Sequence, residues 1–126
     1  MPINKIKLMD GKTTIHEAHG DITFNELLIE LIDYYESHLT LNCIWDFTNA
    51  SISTLSKEDI HALVEKGSQY SKRRIGGKTA WVAADKFTFG ICRMTQILGH
   101  NKNIKLKLQV FYSKAKALRW MDSEES

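Results

Sequence analysis

Four times between residues 13 and 121 a short apolar run is followed by a longer stretch whose apolar residues recur every three or four positions. The first kind of segment has the length and pattern of a strand, and the second has the stripe of an amphipathic helix. Strands separated by helices of about a dozen residues need crossover connections, which makes neighbouring strands parallel. An additional hairpin opens the chain: Ile3, Ile6 and Leu8 lead to the turn pair Asp10-Gly11, and Thr13 to His19 alternates as a returning strand. The expected order is therefore ββαβαβαβα, an α/β domain with a mixed, mostly parallel five-stranded sheet and four helices. A chain of 126 residues makes one such domain, spanning 1–126.

Local signals set the boundaries. Thr23-Phe24-Asn25-Glu26 has the spacing of a capping box, and Phe24, Leu27, Leu28, Leu31, Ile32 and Tyr35 form the apolar stripe of a helix ending near His38. Leu41 to Phe47 reads as a central strand. Ser56 caps a second helix with Glu58 and Asp59 in its first turn, and Lys72, Arg73 and Arg74 close it as a solvated basic end before Gly76-Gly77. Lys78 to Ala84 is the fourth strand, Thr88 to Leu98 a helix stopped by Gly99, and Ile104 to Tyr112 the last strand. Ser113 caps a final helix through Met121, leaving 122–126 as a polar tail.

Composition removes several classes of function. No stretch of about 18 apolar residues is present, and the N-terminus lacks the apolar core of a signal peptide, so a cytoplasmic protein without a transmembrane segment is expected. Cys43 and Cys92 sit in apolar surroundings far apart in the chain and read as small buried hydrophobes, not a disulfide. Net charge is +2, yet residues 1–63 carry 4 basic and 10 acidic side chains while residues 64–126 carry 13 and 5. Such polarity suits orientation of a charged partner. No nucleic-acid motif accompanies the basic Lys72, Arg73, Arg74 and Lys78, so nucleic acid is not an expected partner.

Chemical motifs are sparse. Gly77-Lys78-Thr79 has the ending of a phosphate loop, but its first glycine is replaced by Lys72 and a strand follows. His16-Glu17-Ala18-His19 places its histidines three apart on a strand, on opposite faces, and reads as two ordinary strand-end histidines. No catalytic residue, metal site or cofactor is expected. Asp46, at the end of the third strand, shapes the loop after it, and Ser53, Thr54 and Ser56 lie in a hydroxyl-rich stretch before a helix N-terminus. In the third helix, Phe87, Ile91, Met94 and Leu98 share a stripe, with Phe89 left on the opposite side as a plug or an exposed contact.

The element order, with Ile44-Trp45-Asp46-Phe47-Thr48, Gly77 to Ala83, Phe89 to Met94, Val110-Phe111 and Ala117 to Met121, resembles the SpoIIAA-like branch of the STAS fold, the anti-sigma-factor antagonists, over nearly the whole chain. The resemblance implies a single STAS-like domain and a bacterial regulatory or binding module, and the branch is also likened to Sec14-type lipid binders. The family carries an Asp-Ser-Ser-Gly stretch whose second serine is phosphorylated. The matching position here is Ser56, preceded by Thr54 and Leu55 and followed by Lys57 where the family has Asp, Ser and Gly.

Two functions are thus expected. The first is a non-enzymatic module acting by contact with a protein partner or a second copy, through Asp46, Ser53, Thr54 and a phosphorylatable Ser56, with Phe89 and Met94 adding contact area. The alternative is a carrier of a small apolar or lipid-like ligand, in a cavity beside the third helix, with Phe87, Phe89 and Met94 as contacts.

Overall fold

The computed structural model describes residues 2–123. Along the chain run β1 (Ile3–Lys7), β2 (Thr13–Asp21), α1 (Phe24–Ser37), β3 (Asn42–Ser51), α2 (Lys57–Tyr70), a 3-10 turn (Ser71–Arg74), β4 (Lys78–Val82), α3 (Lys86–Asn101), β5 (Lys107–Phe111) and α4 (Lys114–Asp122). The five strands lie side by side in chain order; β1 and β2 are antiparallel and the remaining pairs parallel. The predicted capping box of Thr23 with Glu26 forms on α1, and Ser56 caps α2 as expected, in a second box completed by Asp59.

This order decides where the helices go. Each crossover from β2 to β5 steps to the next strand in the same direction, and crossovers of one hand then leave α1, α2 and α3 on the same face of the sheet. Cys43, Trp45 and Phe47 of β3 point to that face and pack with Leu27, Tyr34 and Tyr35 of α1 and Cys92 of α3. The alternate residues Ile15, Ile44, Ala80 and Val82 point the other way, where α4 covers them with Ala117 and Met121. Lys78 lies at the edge of that second layer. Its Nζ donates to the carbonyls of Trp120 and Ser123, which satisfies acceptors at the end of α4.

Several boundaries differ from those read in the sequence. β3 continues to Ser51 because β2 continues beside it to Asp21, past a register shift between Glu17 and His19. The last strand starts at Lys107 instead of Ile104. α3 begins at Lys86, capped by Asp85, and runs through Gly99 to Asn101. Gly99 is there for close packing, since a Cβ at that position would lie 2.6 Å from the Leu108 side chain. Asp122 belongs to α4 and Ser123 caps it, so the expected tail loses its first two members, and 124–126 lie outside the described residues.

The phase of α3 is also different. Its buried face is Thr88, Cys92, Gln96 and Gly99, not the more apolar stripe through Phe87 and Met94. Gln96 can be buried because its Nε2 donates to the Leu108 carbonyl at 2.7 Å. Phe87 and Ile97 are consequently exposed, whereas Phe89 is half-buried and stacks on Tyr112 with ring centroids 3.9 Å apart. No helix among the described residues is long and apolar enough to cross a membrane.

Candidate functional site

Asp46, which lies inside β3 and not at its end, and the hydroxyl-bearing residues after the strand are held by local structure. Asp46 is buried, and its Oδ1 accepts from the Thr48 backbone N–H at 3.0 Å and the Thr48 hydroxyl at 2.6 Å. Ser53 is bonded to Ser51, and the Thr54 hydroxyl donates to the Ile22 carbonyl at 3.3 Å. Ser56 is exposed, but its hydroxyl accepts from the Asp59 N–H while the Asp59 carboxylate accepts from the Ser56 N–H. A phosphate added there would meet the Asp59 and Glu58 carboxylates in the same helical turn, which opposes the attraction of the helix N-terminus. These side chains do not converge on a common point.

A cavity of about 130 Å³ does form, between the sheet and the layer of α1, α2 and α3. Trp45, Phe47 and Trp81 line its sheet side, Leu31 and Leu63 two of its helical walls, and Ile91, Cys92, Thr95 and Gly99 the α3 wall. Phe87, Phe89 and Met94 are not among its lining residues. The apolar stripe that would turn Phe87 and Met94 inward gives way to the packing of Gly99 and the Gln96 hydrogen bond, and Phe89, expected on the opposite side as a plug or an exposed contact, stacks on Tyr112. The outer wall is α2, on which only Ile60 is fully buried while Leu63, Val64 and Gly67 are half-buried.

One side of this apolar space is polar, and no sequence motif marks it. Arg74 follows α2 in the exposed sequence Lys72-Arg73, yet the 3-10 turn rotates it inward until 3% of its surface is accessible. Its Nε donates to the Tyr35 hydroxyl at 2.9 Å, one terminal nitrogen to the carbonyls of Leu41 and Lys78, and the other to the Thr79 hydroxyl. Among the described residues no carboxylate forms an ion pair with it. The Cys43 sulfur, 3.7 Å from the Thr79 hydroxyl, also lines the cavity and interacts electrostatically with Arg74.

Behind Cys43 stands His16. The parity of β2 and β3 puts His16 and Cys43 on the same sheet face, in diagonal register, since His16 is opposite Trp45. Far from being a strand-end residue, His16 is fully buried, stacked on Trp45 at 3.9 Å and edge-on to Tyr34 at 4.9 Å. Its Nδ1 is 2.6 Å from the Glu30 carboxylate, which Lys5 also approaches at 3.0 Å. The other ring nitrogen, Nε2, is buried and makes no hydrogen bond of acceptable geometry; the titratable group it influences is the Cys43 thiol. His19, by contrast, is exposed beside Glu17.

The charges follow from these neighbours. Burial pushes the Cys43 thiol up, but the Arg74 guanidinium, then His16 and the Thr79 hydroxyl, pull it down to about 7. Burial disfavours the His16 imidazolium, yet Cys43 and Glu30 outweigh it and hold the ring above its ordinary value. Glu30, itself pushed up by burial, is brought below the usual glutamate value by His16 and Lys5. Cys92 on the α3 wall has no such company. Burial, with the Asp85 carboxylate adding to it, raises that thiol to about 12.

Chemically, the arrangement is a thiol at the wall of an apolar cavity, with a buried imidazole on the same sheet face and a carboxylate that orients that imidazole. His16 and Cys43 were discoverable in principle, because a histidine at an inward strand position must find a partner. Arg74 carried no such signal: its placement depends on one turn of 3-10 helix. Among the described residues no group of His, Cys, Asp and Glu side chains is placed to hold a metal ion. Compared with known protein families the chain matches no family model, and it matches no curated protein.

Proposed function

We propose that this protein is a non-enzymatic binding module that takes up a small, largely apolar ligand in the cavity between its sheet and the helices α1, α2 and α3. The observation that carries this reading is the cavity itself. An apolar cavity of roughly 150 Å³ suffices to hold a molecule such as benzene, and the space here, about 130 Å³, is of that order and lined mainly by aliphatic and aromatic side chains. Arg74, Thr79 and Cys43 give the ligand one polar end to orient against, the usual division of labour in small-molecule sites. A sheet with three helices on one face is in keeping with the STAS-like resemblance and its kinship with lipid-binding domains.

A regulatory module working by phosphorylation of Ser56 has less support. The hydroxyl is engaged in the capping box, and two carboxylates share its turn. Orientation of a partner by the charge asymmetry is weakened as well, because Arg74 and Lys78 turn inward and Arg73 pairs with Glu36 at 2.7 Å.

Trp45 and Trp81 line the cavity and report on its contents. Titration with 2-heptanone should shift tryptophan emission saturably, and native mass spectrometry of freshly purified protein should show a retained small molecule. A bare chain whose emission does not respond to the ketone would overturn the reading.

A further inference from the structure

Most features of the molecule outside the cavity are accounted for by structure. The basic cleft formed by Lys72, Lys102 and Lys105 is a set of surface side chains, and Lys102 is paired with Glu65 at 2.6 Å. The exposed face of α3 at Phe87 and Ile97 has nothing near it that identifies an occupant. The group without a structural explanation is Cys43 with His16 behind it. A buried imidazole nitrogen without a hydrogen bond is costly, and a buried guanidinium with no carboxylate partner among the described residues is more so. Both act electrostatically on the same sulfur, and Cys43 lines the ligand cavity.

We propose that Cys43 is a covalent attachment site: its sulfur, with His16 as base and Glu30 as positioning residue, adds to an apolar α,β-unsaturated carbonyl compound held in the cavity. The proton on Sγ passes to His16 Nε2, while the Nδ1–H donates to Glu30 and holds the ring in the tautomer whose Nε2 is free to accept. The sulfur electron pair forms the C–S bond at the β-carbon, the π pair moves to give an enolate, and the proton on Nε2 returns to the α-carbon. The sum is H–S added across C=C. Nothing is oxidised and no group leaves.

Addition fits this site better than acyl transfer does. An acyl transfer needs backbone N–H donors aimed at a developing oxyanion. β3 is paired on both sides, to β2 and to β4, so the N–H groups around Cys43 are engaged in the sheet. An addition develops its charge on an enolate oxygen, carried by the second carbon beyond the one that the sulfur attacks and so away from the Cys43 backbone, and it needs no water. The second cysteine supplies an internal control, because Cys92 lines the same cavity and the charged group that acts on it is the Asp85 carboxylate, not a histidine or a guanidinium.

The adduct presupposes the ligand cavity proposed above, and the two ideas fail separately. The full-length protein is treated with 3-hepten-2-one, followed by intact-mass measurement and peptide mapping, with the saturated 2-heptanone as the ligand that binds but does not add. One adduct on Cys43 is expected. Thiolate fractions at neutral pH, offset by the greater nucleophilicity of the more basic thiolate, put Cys43 ahead of Cys92 by roughly a few hundredfold. Equal labelling of Cys92 overturns the proposal. So does absence of any adduct while 2-heptanone still shifts tryptophan emission, a result that leaves the carrier intact; loss of both responses overturns both readings. His16→Gln should slow addition at neutral pH by about tenfold or more and move its pH midpoint upward, and an unchanged rate and midpoint would refute the role of the base. Should that variant not fold, the thiolate absorbance of the wild-type protein decides: a midpoint near 7 is expected, and one at the ordinary value of a thiol overturns the proposal.

Discussion

Cys43 and Cys92 line the same cavity, one from the sheet and one from α3, and both are buried. In sequence they are equivalent, each a cysteine among apolar residues. In the folded protein they differ by several orders of magnitude in acidity, about 7 against about 12. Burial alone raises both. What separates them is the company each keeps: Arg74 and His16 stabilise negative charge at Cys43, whereas Asp85 opposes it at Cys92. The acidity of a thiol in this molecule thus follows the wall of the cavity on which it lies and not the residue type or its degree of burial.

The largest expected effect comes from removing the cation. Arg74→Met leaves the Tyr35 hydroxyl, the Thr79 hydroxyl and the carbonyls of Leu41 and Lys78 without their donor. Urea denaturation should show a loss of about 3 kcal/mol, and the Cys43 midpoint should rise toward that of Cys92. If the protein folds and the midpoint stays near 7, the difference between the two thiols has another origin.

A smaller effect is expected at Glu30→Gln, which keeps a hydrogen-bond acceptor for His16 but removes the charge. A loss of about 1.5 kcal/mol at neutral pH follows from weakening a charge-assisted bond. The sign with pH is definite. Glu30 is held below its ordinary 4.5, so its contribution is present above that value and is lost as pH falls through the depressed one. Acid denaturation curves of the variant should therefore be shallower below pH 4.5 than those of the wild type. Equal slopes would detach Glu30 from the polar wall.

The smallest effect is a gain. Gly67 lies within α2, has no unusual φ, and a Cβ there would meet nothing within 4 Å. Gly67→Ala should stabilise the protein by about 0.8 kcal/mol through helix propensity. Because Gly67 lines the cavity, the methyl group should also weaken 2-heptanone binding. Unchanged affinity would show that the ligand rests against the Cys43 wall and does not reach α2.

The fold was legible because its signals are local. Thr23 caps its helix as the three-residue spacing to an acid predicts, Ser56 caps the next, and the Asp10-Gly11 turn produces the β1–β2 hairpin. α3 was misread in phase for a physical reason. Hydrophobicity favours Phe87 and Met94 as the inward stripe, while burial of Gln96 depends on a carbonyl of β5 that no window of sequence contains.

From its order of amino acids alone, this chain determines an α/β domain with a hairpin at one edge, because turn pairs, caps and periodicity act over a few residues and need no distant partner. The polar wall was decided elsewhere. His16, Glu30, Cys43, Arg74 and Thr79 come from β2, α1, β3, the 3-10 turn and β4, and each is ordinary by itself. Only the sheet register and one inward turn of the backbone bring them together, at a largely buried wall where a charge strongly affects its neighbours.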